Sequence, residues 1–229
     1  MSDPAAAVLP GGQLSTRIVL RPVATPLPLG FLGLFVATSA FACLQLGWLP
    51  PEQGRGVAVA ALALTVPLQL LASVLGFLAR DPVAGTGMGI LAGTWAAVGY
   101  LTLTAPPGTS SAGLGVVLLL SAASLLVPAA AATSKLVPAA VIALSALRFA
   151  VTGIAELTAS RTWYDVAGTV GLLLGLLALY AATALELEDV QHRTVLPLLR
   201  RGPAQQALQG DGADQTDQLR HEAGVRNQL

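Results

Sequence analysis

Residues 113–157, GLGVVLLLSAASLLVPAAAATSKLVPAAVIALSALRFAVTGIAEL, decide the architecture. The only charges in this stretch are Lys135, Arg148 and Glu156. As a single α-helix it would be ~65 Å long, more than twice the ~30 Å hydrocarbon layer of a bilayer. A turn near Ser134–Pro138 is therefore forced, and the stretch reads as two membrane spans, Gly113–Thr133 and Val137–Leu157.

Four further apolar stretches of similar length flank this pair: Leu27–Gly47, Val57–Leu78, Ala84–Ala105 and Val166–Leu185. Stop signals separate them. Pro50, Pro51, Glu52 and Arg55 divide the first two, Arg80, Asp81 and Pro82 the next two, and Pro106, Pro107 and Gly108 end the third. Trp48, Trp163, Tyr100 and Tyr164 sit where interfacial anchors belong, whereas Trp95 falls too deep for that role. Pro67, Pro128 and Pro138 lie within or beside spans, where proline bends a helix. The pattern predicts an all-α integral membrane protein, a compact bundle of six transmembrane helices.

Composition points the same way. The 229 residues are 54% apolar and 10% charged, with a mean hydropathy of +0.71. A soluble domain carries about 25% charged residues, so the charges here are too few to coat a water-facing surface. Twelve basic residues balance twelve acidic ones, which argues against a nucleic-acid partner. The apolar mass is Ala, Leu, Val and Gly rather than the alternating, aromatic-girdled segments of a membrane β-barrel. Cys43 is the lone cysteine, so no internal disulfide and no multi-cysteine metal site is expected, and no cofactor motif occurs. The first 20 residues lack the order of features that marks a removable signal peptide.

Six spans place both termini on one side. Arg17, Arg21, Arg80, Lys135, Arg193, Arg200 and Arg201 then share that side, against Arg55 and Arg161 on the other, which predicts cytoplasmic termini in a cell inner membrane. Three regions follow: a flexible N-terminus over 1–24, a membrane domain over 25–198, and a disordered polar tail over 199–229, in a stretch that turns polar from about residue 187.

Within the spans, ionisable and amide side chains are the candidates for function. Arg148 falls near the centre of the fifth span and must face protein, water or a carboxylate rather than lipid. It reads as an anion-coordinating residue or as an ion pair or carbonyl contact between helices. Glu156 lies two turns further on, about 80° round the helix from Arg148, as a mouth or proton-relay residue or an interfacial carboxylate. Gln69 is a buried amide that needs partners, supplied by a substrate or by a neighbouring helix. Gly85, Gly89 and Gly93 form a small-residue stripe, read as close helix packing or as a narrow pore lining.

Two terminal motifs add a resemblance. Thr25-Pro-Leu-Pro-Leu-Gly30 opens the first span, and Tyr180 is followed by Thr194-Val-Leu-Pro-Leu198. Together they resemble the Asn-Pro-Ala-Pro-Leu-Gly signature and the closing segment of the acetate uptake transporter family, across the whole membrane domain. The resemblance implies six-helix protomers that assemble as cyclic hexamers and move acetate, in some cases succinate, with protons. It places Pro26, Pro28, Leu29 and Gly30 at the start of the path, Leu34 at a constriction, and Gln69 and Trp95 on its wall. The chain departs from the pattern elsewhere. Thr25 replaces the signature asparagine, though it can still cap a helix. Asp81-Pro82-Val83 and Ile90-Leu91-Ala92 replace Asn-Thr-Phe and Ser-Tyr-Gly, and Leu185 stands at a glutamate position beside Glu186. Arg148 lies outside the pattern.

The expected function is transport of acetate or a related small monocarboxylate, coupled to protons, with Leu34 and Leu91 forming an apolar constriction. The competing expectation is a membrane scaffold or sensor that keeps the fold without transport. No paired ionisable residues suggest an enzyme, and no catalytic residues are assigned.

Overall fold

The computed structural model describes residues 24–132, 134–191 and 193–201. Arg17, Arg21 and the rest of 1–23, Thr133 at the end of the expected fourth span, and the tail from 202 lie outside the described residues. Six long helical segments follow one another: α1 Leu27–Gln45, α2 Pro51–Leu78, α3 Pro82–Thr104, α4 Ala112–Ala131, α5 Leu136–Thr158 and α6 Arg161–Gln191. The forced turn falls between Ala131 and Leu136. Among the described residues, all except α3 are long and apolar enough to cross a membrane, making this a multi-pass membrane protein. At 23 residues α3 is long enough, but its glycines and threonines dilute its hydropathy.

Local chemistry sets the helix starts earlier than hydropathy does. Pro51 opens α2 with a 3-10 turn, since proline lacks the N–H that a first turn leaves orphaned anyway. Asp81 caps α3 by accepting a hydrogen bond from Ala84 N at 2.9 Å, and Pro82 stands in the first turn. Further along α2, Ala61–Thr65 widens into a π turn ahead of Pro67, whose ring cannot be accommodated by a regular α-helical ladder. The largest difference is α6, which is 31 residues long against the expected Val166–Leu185. That is ~46 Å of helix, longer than the hydrocarbon layer, because good helix formers such as Glu186 and Glu188 carry the ladder on into the interface.

Packing closes these segments into a ring. Each helix packs on its neighbours in sequence, and α1 returns to pack extensively on α6. The tightest seams are glycine contacts. A Cβ on Gly115 of α4 would lie 2.9 Å from the Gly153 carbonyl of α5, and one on Gly76 of α2 would lie 2.7 Å from Gly85 N of α3. The Gly85–Gly93 stripe is therefore packing at Gly85 and at Gly89, where a Cβ would sit 3.0 Å from Ser73 Oγ, while Gly93 faces open space.

The chain does not leave the bundle at its last span. After Gln191 it folds back across the end where α4 meets α5. Leu136 N and Val137 N, in the first turn of α5, donate to the carbonyls of Leu199 and Leu198, both at 3.3 Å. Arg201 N donates to Ser134 O at 2.9 Å, Tyr180 Oη to Pro197 O at 2.9 Å, and Leu198 enters the core at 1% exposure. Arg200 pairs with Glu188, which also accepts from Thr194 Oγ1. Contacts with the bundle thus run through Arg201, three residues past Leu198.

Candidate substrate path

The ring encloses the polar side chains singled out above. On α2, Thr65, Gln69 and Ser73 recur every four residues and share one face, and all three are buried. Thr65 Oγ1 donates to Gly33 O of α1 at 2.8 Å, and Ser73 Oγ to Gly85 O of α3 at 2.6 Å. Gln69, between them, is 0% exposed, and neither its Oε1 nor its Nε2 has a hydrogen-bond partner. The flanking hydroxyls tie helices together; the amide between them does not.

Leu34 and Leu91 are both 0% exposed, and the helix register brings them toward the level of Gln69. Gly33 packs on Thr65 and Leu68, and Gly89 on Ser73, which sets that register. At the head of α1, Pro26 and Pro28 are buried, Leu29 is half-buried, and Gly30 packs against Met88 and Ala72. Thr25 does not cap the helix as expected. The N-cap is Pro26, with no side-chain bond, because a start carrying two prolines has few free N–H groups for a threonine to serve.

One turn beyond Leu91, the Trp95 indole lies between two phenylalanines that sequence reasoning did not single out. Phe41 of α1 is 5.5 Å away between ring centroids, and Phe149 of α5 is 5.8 Å away in an edge-on arrangement. Trp95 is 2% exposed and its Nε1 has no partner. Where the resemblance implies aromatic gate residues this chain has leucines, and three rings meet one to two turns further along. Phe41 follows Leu34 by seven residues and Trp95 follows Leu91 by four, so each ring shares a helix face with its leucine.

Arg148, on α5, is 2% exposed. Its Nη1 donates to Thr152 Oγ1 at 2.8 Å and to Ala167 O of α6 at 2.7 Å, while Nε has no partner. Among the described residues no carboxylate pairs with it. The backbone of Gly171 lies against the guanidinium, and Thr38 Oγ1 of α1 donates to Gly171 O at 3.3 Å. Arg148, beside Phe149, is thereby brought to the level of the three rings.

Glu156 is not part of this group. It accepts from Ser111 N at 2.7 Å and Tyr164 Oη at 3.1 Å. It borders a cavity of about 120 Å³ at the end of the bundle, whose wall also includes Arg55, Thr102 and Thr109.

No protein-family model and no curated protein sequence matches the chain. Among solved structures, the bacterial acetate channel SatP superposes with a TM-score of 0.67 over 77% of this chain and 99% of that one, at 23% identity. The chain has the fold of SatP. The likeness covers nearly the whole of SatP. Gln69, Trp95 and Arg148 are buried in this chain's own core.

Proposed function

We propose that this protein carries a small monocarboxylate, acetate first, across the cell inner membrane in net symport with a proton. The observation that carries the reading is Gln69: an amide with neither end hydrogen-bonded, fully buried in a bundle whose fold is that of an acetate channel. An unpartnered buried amide costs about 1–3 kcal/mol. A carboxylate passing the site offsets that cost by accepting from Nε2, and the free indole N–H of Trp95 offers a second donor nearby. In this reading Pro26, Pro28, Leu29 and Gly30 form one entrance, Leu34 and Leu91 the apolar constriction, and Gln69, Trp95 and Arg148 the polar steps. Glu156 stands at the other mouth. All six helices cross, the membrane domain runs from 25 to 198, both termini are cytoplasmic, and protomers assemble as a hexamer.

Uptake of labelled acetate into vesicles holding the purified protein tests the reading. Flux above empty vesicles, increased by an inward proton gradient, is expected. Flux equal to that of empty vesicles removes the assignment.

The full burial of Leu34, Leu91 and Trp95 favours a second reading, a scaffold or sensor with a sealed axis. Such a protein would show no acetate flux yet would lose its cellular role when the tail beyond Arg201 is removed.

A further inference from the structure

We propose that Arg148 is a carboxylate-binding site, at which the substrate is held as an anion on the free edge of the guanidinium. The inference rests on the transport reading for the identity of the anion, and on the geometry of the side chain for the rest.

A guanidinium is planar and offers distinct edges for paired hydrogen bonds. Among the described residues both hydrogen bonds of the Arg148 guanidinium come from Nη1, so one corner of the group is fixed while the buried Nε has no hydrogen-bond partner. Nε and Nη2 together form the side-on edge that takes a carboxylate through two parallel N–H···O bonds. The neighbouring backbone does not occupy that edge. A Cβ on Gly171 would lie 2.8 Å from Nε and 2.9 Å from Cζ. A carbon in line with Nε–H at that distance would be about 3.6 Å from Cζ, given a planar group. Gly171 therefore covers the face of the guanidinium, and the absence of a side chain there lets the group lie flat.

Charge argues the same way. A cation 98% removed from solvent, in the core of an apolar bundle, is costly unless an anion accompanies it. Among the described residues no carboxylate pairs with it, and its partners are a hydroxyl and a carbonyl, which compensate a full charge only in part. A monoanionic ligand completes the site; a neutral acid or amide does not. Thr38, through Gly171, extends the floor of the site to α1, so three helices hold its geometry.

Trp95 is the reporter, because its ring contacts Phe149, the residue after Arg148. With Trp48→Phe and Trp163→Phe as background, Trp95 emission of the full chain in nanodiscs is titrated with acetate, with its neutral isostere acetamide, and with chloride. Saturable change with acetate, none with acetamide, and acetate affinity at least tenfold weaker in Arg148→Gln are expected. Arg148→Lys keeps a charge without the planar fork and should recover only part of the loss. Gly171→Ala, which keeps the arginine and disturbs its seat, should weaken acetate severalfold. Equal responses to acetate and acetamide, equal competition by chloride, or wild-type affinity in Arg148→Gln overturn the site. If Arg148→Gln does not assemble, unchanged affinity in both Arg148→Lys and Gly171→Ala overturns it. Acetate flux without Arg148-dependent binding removes this site and leaves transport standing; saturable binding without flux does the reverse.

Discussion

Glu156 accepts a hydrogen bond from the backbone N–H of Ser111, 2.7 Å away, and so ties the end of α5 to the start of α4. The other carboxylate oxygen takes the hydroxyl of Tyr164, in the first turn of α6. One side chain thus joins three helix ends at the rim of the cavity, and a mechanical role explains its position better than proton relay. Glu156→Ala orphans both donors and should cost about 1–3 kcal/mol, read as a lower melting temperature of the purified protein. Glu156→Gln keeps the acceptor for Ser111 and should lose less. Uptake by Glu156→Gln should still respond to a proton gradient; loss of that response would restore the relay.

Substitution at Gln69 tests stability and transport separately. Gln69→Leu removes an amide with no partner in the core, so thermal stability should hold or rise by up to about 1 kcal/mol. Acetate uptake in vesicles should fall at least tenfold in the same variant. Lowered stability together with unchanged uptake would mean that the amide serves helix packing.

Ala159 ends α5 in the left-handed region, at φ 49°, where a Cβ is crowded. An L-residue there costs about 1–2 kcal/mol, and glycine is the common solution at this position of a helix end. Ala159→Gly should therefore raise stability by about 0.5–1 kcal/mol, seen as a higher melting temperature without change in uptake. A lower melting temperature would contradict the strain.

The folded-back C-terminal segment predicts where the chain can be cut. Ending it after Arg201 keeps Leu198 in the core and Arg200 on Glu188. That truncation should melt within ~0.5 kcal/mol of the full chain. Ending it after Gln191 exposes the pocket of Leu198, frees Glu188 and strips two acceptors from the start of α5. A loss of about 3 kcal/mol or more is expected. Equal stability of the two truncations would show that the segment contributes nothing.

Much of this arrangement is legible in the chain, and the exceptions have physical causes. The 113–157 stretch yields α4 and α5 because one helix of that length fits no bilayer. Arg148 and Gln69 stand out because polar groups among apolar residues must be buried. The extent of α6 is hidden because hydropathy marks the hydrocarbon edge, while backbone hydrogen bonding continues past it to Gln191. The fold-back of 193–201 is hidden because it is held by backbone bonds to the α5 start and by side-chain contacts distant in sequence, which composition does not report. The meeting of Phe41, Trp95 and Phe149 draws on three helices far apart in sequence, and no spacing within one of them announces it.

The hydrogen bond from Arg148 to Ala167 also bears on biogenesis. The cross-helix partner of Arg148 belongs to α6, which leaves the ribosome after α5. Until α6 is in place, α5 carries a cation into the bilayer with only its own Thr152 to engage it. The fifth helix is therefore completed by the sixth. A chain halted between them has an open ring and an arginine without its Ala167 carbonyl.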